Sequence, residues 1–101
     1  MKHSLSTAQF NVVFSESKSL RVGDLLFKYK KAVDPKLGLI VSRKYGNGVS
    51  RNLFKRRCRA QFITLIKNGF TNTLIIIPNR QNIAWAAINT SFNKLVNRLR
   101  D

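Results

Sequence analysis

The chain is short and strongly basic: its 101 residues include 19 Lys and Arg but only 4 Asp and Glu, a formal net charge of +15. This length, with 44% hydrophobic residues, fits one domain over residues 1–101 and excludes a second large core. Because so large an excess of one charge makes a folded protein repel itself, we expect a polyanionic partner. That partner is usually a nucleic acid and less often an anionic membrane.

Few residues are available for redox or metal chemistry. The single cysteine, Cys58, excludes an internal disulfide and a cysteine cluster, and is expected to be a small buried apolar residue. The only histidine is His3, and the carboxylates lack metal-ligand spacing, so neither catalytic nor metal-binding residues are expected. No apolar run approaches the roughly 20 residues of a membrane span, so we expect a cytoplasmic protein without membrane contact.

The first predicted element is a short amphipathic helix. Residues 6–9, Ser-Thr-Ala-Gln, have the pattern of a capping box, and Phe10, Val13 and Phe14 follow at helical spacing. From the residues alone, packing of the two phenylalanines in the core is favoured. The alternative is that they stack on unpaired bases beside an open sheet face.

Three predicted strands follow, over residues 20–22, 25–31 and 37–43, with Asp34-Pro35 as a turn before the third. We expect them to form an antiparallel meander or a hairpin. The lysines of the second strand, Lys28, Lys30 and Lys31, are also typical of edge strands, where they block unwanted pairing.

The second half of the chain predicts a helix, a strand and a helix. Asn47 or Ser50 can cap a long helix that ends near Lys67, before Asn68-Gly69. Residues 73–77 form a continuous apolar run, typical of a central strand buried on both faces, and residues 83–99 have helical spacing. The resulting order, αβββαβα, indicates an α+β sandwich of helices against one sheet.

The positive charge is concentrated around the start of the long helix. Between positions 43 and 59 there is no carboxylate, and the seven cations are Arg43, Lys44, Arg51, Lys55, Arg56, Arg57 and Arg59. Five polar residues fall within a sector of about 140° on a helix: Arg51, Asn52, Lys55, Arg56 and Arg59. A merely solvated face usually alternates in sign to form i,i+4 pairs, which cannot form here, so we interpret this face as a phosphate-binding surface.

The same region carries a family resemblance. Gly38-Leu39-Ile40-Val41-Ser42-Arg43-Lys44, Gly46-Asn47-Gly48-Val49 and Arg51-Asn52-Leu53-Phe54-Lys55-Arg56 occur in the order and spacing of the bacterial ribonuclease P protein family, which the chain resembles over nearly its whole length. The resemblance implies a ribosomal protein S5 domain 2-like sandwich. It also implies a left-handed βαβ crossover, a hand that such connections rarely have.

The resemblance implies an RNA-binding subunit of ribonuclease P, a tRNA-processing endoribonuclease whose catalytic centre is in its RNA, with Mg²⁺ bound mainly by that RNA. The implied partners are the ribonuclease P RNA and the 5′ leader of precursor tRNA, with no obligate protein partner. The surface implied to face the catalytic RNA consists of Arg43, Lys44, Arg51, Asn52, Lys55, Arg56 and Arg59. The cleft implied to hold the leader, between the first helix and the sheet, is lined by Phe10, Phe14, Lys28 and Arg59.

Two positions depart from the family pattern. Leu53 stands where the family usually has a second arginine, and Lys28 lies near a position that is often aromatic. Two other functions fit the charge alone: a ribosomal or other structural RNA-binding protein, and a protein that docks on anionic membranes. The membrane alternative needs an exposed apolar face opposite a basic one, whereas the apolar residues here are expected to be needed by the core.

Overall fold

Three helices and four strands follow one another in the predicted order, αβββαβα, in a computed structural model that describes residues 3–99. They are α1 (Thr7–Glu16), β1 (Lys18–Val22), β2 (Leu25–Lys31), β3 (Leu37–Leu39), α2 (Gly48–Lys67), β4 (Asn72–Pro78) and α3 (Trp85–Leu99), with a single 3-10 turn at Arg43–Tyr45. The α+β class is therefore confirmed. Within residues 3–99, no helix is long and apolar enough to cross a membrane.

The capping predictions at the starts of α1 and α2 are confirmed. Ser6 caps α1 and its hydroxyl accepts a hydrogen bond from the Gln9 backbone, while the Gln9 side chain accepts from the Ser6 backbone. Asn47 caps α2, because its side-chain oxygen accepts from the Ser50 N–H at 2.8 Å. The bonds to the Gln9 and Ser50 N–H groups satisfy donors that a helix leaves unpaired at its start, so the boundaries follow from local sequence.

The sheet has the strand order β1-β2-β4-β3. β1 and β2 form the expected antiparallel hairpin, closed at Gly23, whose φ of 58° lies in the left-handed region that favours glycine. The prediction of a three-stranded meander was wrong, because β4 lies between β2 and β3. β4 is antiparallel to β2 and parallel to β3. This central place suits β4, since its apolar run is buried on both faces of the sheet.

A β3-α2-β4 unit follows from that order, with parallel neighbouring strands joined through a helix. This confirms the βαβ crossover, and its left hand stays a prediction from the family resemblance.

One face of the sheet, together with α2 and α3, forms the main core. Phe27 of β2 and Phe92 of α3 meet edge to face, with ring centroids 5.3 Å apart, and both are buried. Phe54, Cys58 and Phe62 of α2 belong to the same cluster, as do alternate residues of β4. The apolar side of α2 is thus buried in the core, and the cations of α2 lie on its flanks and its outer side.

Helix α1 lies on the opposite face of the sheet and covers part of it. Gly38 of β3 makes this contact possible: a Cβ there would lie 2.7 Å from the ring of Phe10 and 2.9 Å from a methyl group of Leu5. A glycine in a strand often marks such a close approach. The uncovered part of this face, together with α1, forms one side of the site described below.

β1 begins two residues before its predicted start and β4 extends one residue beyond each predicted end, whereas two other boundaries differ for a clear physical reason. β3 ends at Leu39 rather than at Arg43, because the chain turns at Ser42 into the 3-10 turn, closed by the Tyr45 N–H donating to the Ser42 carbonyl. α3 begins at Trp85 rather than at Ile83. The Ile83 N–H donates to the Tyr45 hydroxyl at 2.9 Å, and this buried bond holds Ile83 in the loop before the helix.

Candidate nucleic-acid interface

The predicted phosphate-binding residues of α2 occupy one flank and the outer side of its first turns. Asn52 and Arg56 are exposed, whereas Lys55 and Arg59 are half-buried. No acidic residue lies in the first turn of the helix, so the positive end of its dipole is not offset by a carboxylate there. This flank therefore offers fixed guanidinium and ammonium groups next to a favourable helix end.

Arg51 is partly engaged within the protein. Its Nη1 donates a hydrogen bond to the Gly46 carbonyl at 3.1 Å, which ties the first turn of α2 to the preceding loop. A guanidinium has five N–H donors, so this single bond leaves Arg51 its charge and other donors for a phosphate.

Arg43 does not lie in β3, contrary to the strand predicted over residues 37–43, and Lys44 follows it outside the strand. Both lie on the 3-10 turn and are exposed. Lys44 lines an open depression of about 320 Å³ beyond the ends of β3 and β4, which it shares with Arg80 and Ile77. These two cations thus lie beside the α2 surface rather than in line with the strand.

Lys55 and Arg59 of α2 meet the first helix across the edge strand. They line a cavity of about 220 Å³ together with Phe10 and Gly38. The prediction placed Arg59 in both the surface and the cleft. Its position, at the cavity where α2 approaches α1, brings those two residue sets together.

Phe10, Phe14 and Lys28 continue the site along α1 and onto the sheet. The two rings are stacked, with centroids 6.4 Å apart and planes inclined by 14°, and Phe14 is 41% exposed. The Lys28 ammonium lies 4.4 Å from the Phe14 ring centroid and donates to the Ser19 hydroxyl at 3.2 Å. The exposed aromatic ring and its neighbouring cation lie on the same side of the sheet as α1.

The cations of α2 are not neutralised within the described part of the chain. The carboxylates of residues 3–99 form three ion pairs with cations of other elements, Glu16 with Lys30, Asp34 with Lys36 and Asp24 with Arg80. No carboxylate of residues 3–99 pairs with an α2 cation. Phosphates can therefore approach α2 without displacing an internal partner.

Groups suited to covalent or metal chemistry do not lie at this surface. Cys58 is fully buried, and burial raises the pKa of its thiol to about 12, so the nucleophilic thiolate is scarce at neutral pH. Burial likewise raises the pKa of the Tyr45 phenol. Among residues 3–99, no group of three or more His, Cys, Asp or Glu side chains could hold a metal ion.

The predicted set left out three residues to which the structure draws attention, one in the cleft and two on the other flank of α2. Gly38 admits Phe10 to the cavity, and its isolated occurrence in a strand was the available signal. Arg57 and Trp85 face each other on the other flank of α2, with the guanidinium carbon 5.6 Å from the ring centroid. Arg57 was among the seven clustered cations, but no sequence pattern linked it to a tryptophan 28 positions away.

Several known proteins are similar to this chain in sequence or in fold. The ribonuclease P protein component of Mesomycoplasma hyopneumoniae is 27% identical over 89 residues, covering 86% of this chain and 80% of that protein. The structure of a Staphylococcus aureus RNase P protein mutant with defective mRNA degradation activity matches with a TM-score of 0.81. It shares 22% identity and covers 98% of this chain and 89% of that one.

The RNase P protein of Thermotoga maritima has the same fold, with a TM-score of 0.76, 24% identity and coverage of 94% of this chain and 96% of that one. The sequence model of the family described as Ribonuclease P matches residues 2–100. Because this match extends over nearly the whole chain, the chain belongs to the ribonuclease P protein family.

Proposed function

We propose that this chain binds the catalytic RNA of ribonuclease P through the α2 surface and the neighbouring 3-10 turn, and holds the 5′ leader of precursor tRNA in the cleft between α1 and the sheet. The observation that carries the proposal is the position of Arg59. It lies where the uncompensated cations of α2 meet the stacked phenylalanines of α1. One continuous surface thereby offers charge for a folded RNA and, for a single strand, the exposed ring of Phe14 stacked on the half-buried ring of Phe10.

The chemistry of hydrolysis belongs, on this proposal, to the RNA and its Mg²⁺ ions. The side chains at the site are cationic, amide or aromatic, and the described carboxylates are held in ion pairs with lysine or arginine away from α2. Such a surface suits neutralisation of phosphates and positioning of a leader, which lowers the Mg²⁺ concentration that the RNA needs. The protein acts as the subunit that assists 5′ maturation of tRNA.

The test is cleavage of precursor tRNA by a bacterial ribonuclease P RNA at low Mg²⁺, with and without the protein, on a full-length and a shortened leader. We expect stimulation that depends on the leader. Arg56→Ala should weaken assembly with the RNA, whereas Phe14→Ala should remove the leader dependence and leave assembly intact.

Matched controls lie on the same helices. Lys67→Ala removes an exposed cation at the far end of α2, and Val12→Ala removes an exposed apolar side chain from another side of α1. Both should behave as wild type. Equal stimulation with both leaders would refute the assignment of the cleft to the leader. Cleavage by the protein without RNA would refute the assignment of hydrolysis to the RNA.

A further inference from the structure

A second depression lies on the flank of α2 that faces away from the cleft. It has a volume of about 490 Å³ and is lined by Leu53, Arg56, Arg57, Ala60 and Trp85. Helix residues that are two positions apart differ by about 200° around the helix axis, so Arg57 and Arg59 point to nearly opposite sides. The depression is therefore separate from the cavity that Arg59 shares with Phe10.

Trp85 forms one wall of this depression and is not part of the main core cluster. Its side chain is 41% exposed, although tryptophan is usually among the most buried residues by area. It is the first residue of α3, and the Arg57 guanidinium lies over its ring with 5.6 Å between guanidinium carbon and centroid. The ring thus has a defined neighbour on one side and open space towards the depression.

The chemistry of the lining selects a planar and negatively charged occupant. Arg56 and Arg57 supply two cations, Leu53 and Ala60 supply apolar floor, and no residue lining the depression is acidic. A smaller cavity of about 200 Å³ adjoins it, sharing Leu53 and Arg57 and adding the side chain of Asn82. An aromatic face, an arginine plane and nearby hydrogen-bonding groups are the combination that holds an unpaired nucleotide.

We propose that Trp85 and Arg57 form a stacking site for one unpaired base of the ribonuclease P RNA, with Arg56 binding an adjacent phosphate. The inference rests on the proposed function, because it takes the RNA to lie along the exposed side of α2. That RNA is the expected occupant because Arg56 is shared between the predicted surface and this depression. The α2 helix is then held by the same RNA from two sides, with a base contact on one flank and phosphate contacts on the other.

The first test uses Trp85 as its own probe, since it is the only tryptophan of the chain. Acrylamide, a neutral quencher, should reach Trp85 in the free protein. On addition of ribonuclease P RNA, the indole emission should become protected from acrylamide, while inorganic polyphosphate of similar charge should leave it accessible. Equal accessibility in the free protein and in the RNA complex would overturn the inference.

The second test compares the affinities of variants for the same RNA at fixed salt. Trp85→Ala should weaken binding by about 5- to 150-fold, the range for loss of one stacked base, and Trp85→Phe should weaken it less because it keeps an aromatic face. Val33→Ala, at an exposed apolar residue of the β2–β3 loop, is the matched control and should bind as wild type. Equal losses for Trp85→Ala and Trp85→Phe, or no loss for either, would refute stacking.

The two hypotheses fail in different ways. If wild-type protein binds the RNA and Arg56→Ala weakens binding while the Trp85 variants do not, the stacking site is refuted and the proposed function stands. If wild-type protein does not bind the RNA at all, the proposed function itself is refuted.

Discussion

Replacing Gly38 by alanine tests how α1 is seated on the sheet. The added Cβ would lie 2.7 Å from Cε2 of Phe10 and 2.9 Å from Cδ1 of Leu5, whereas ordinary contacts begin near 3.4 Å. The Phe10 ring must therefore withdraw by about 0.7 Å, and α1 or the ring must shift with it. Overpacking of this kind lowers the free energy of unfolding by about 1–3 kcal/mol.

The expected functional loss is selective. Since Phe10 and Phe14 are stacked, displacement of the first ring should disturb the second and reduce the leader dependence of cleavage, while affinity for the ribonuclease P RNA changes little. Urea unfolding at constant sulfate gives the stability change, and the two-leader cleavage assay gives the functional one.

Two further variants sharpen the Gly38 test. Gly48→Ala is the matched control: apart from the adjacent residues and the backbone of its own helix, the nearest heavy atom to its added Cβ is Nη2 of Arg51 at 4.0 Å, so stability should stay equal or rise by up to about 1 kcal/mol. Phe10→Leu removes the nearest of the clashing atoms, Cε2, so it should restore part of the stability in a Gly38→Ala background, with a coupling energy of about 0.5–3 kcal/mol. A Gly38→Ala protein as stable as wild type, with full leader dependence, would refute the close packing of α1.

The net positive charge of the protein and the burial of Cys58 lead to three other predictions. Sulfate should raise the melting temperature by screening repulsion and occupying anion sites of the native state, and a melting temperature that does not respond to sulfate would contradict this. With six to ten phosphate contacts, affinity for the ribonuclease P RNA should fall by roughly 10³- to 10⁵-fold between about 50 and 200 mM salt, measured by filter binding; a flat salt dependence would argue against phosphate recognition. Because the pKa of Cys58 is raised to about 12, its contribution to stability is present below about pH 9 and lost as pH rises towards 12. Urea midpoints should therefore fall more steeply with pH in wild type than in Cys58→Ala, and parallel curves would show that this thiol does not ionise on unfolding.

Local patterns predicted the helices and the hairpin well, and the physical reason is that their determinants are close in sequence. The capping box at residues 6–9 and the Asn47 cap fix helix starts through bonds spanning three residues. The pairing of β3 depends on a partner more than 30 residues away, and its three residues are compatible with either β2 or β4. The meander prediction was therefore wrong about the partner of β3. β3 pairs with β4, whose buried apolar residues require a neighbouring strand on each side.

In the candidate site too, features set by residues close in sequence were predicted, and contacts between distant segments were not. The cations of α2 were found because helical periodicity places them on one face. Lys28 was assigned to the cleft only through the family resemblance, and its 4.4 Å distance from the Phe14 ring centroid depends on how α1 packs on the sheet. The facing of Arg57 and Trp85 depends on how α2 packs against α3, and the buried hydrogen bond from Ile83 to Tyr45 sets where α3 begins. Such contacts between distant segments have no signature in a single sequence.

The most direct test of the central claim places a photoreactive benzophenone side chain at position 14 or at position 56 and maps the crosslinks in the complex of protein, ribonuclease P RNA and precursor tRNA. Crosslinks from position 14 should fall on leader nucleotides and those from position 56 on the ribonuclease P RNA, with position 12 as a control that gives neither. Crosslinks from position 14 to the ribonuclease P RNA, with none to the leader, would contradict the account.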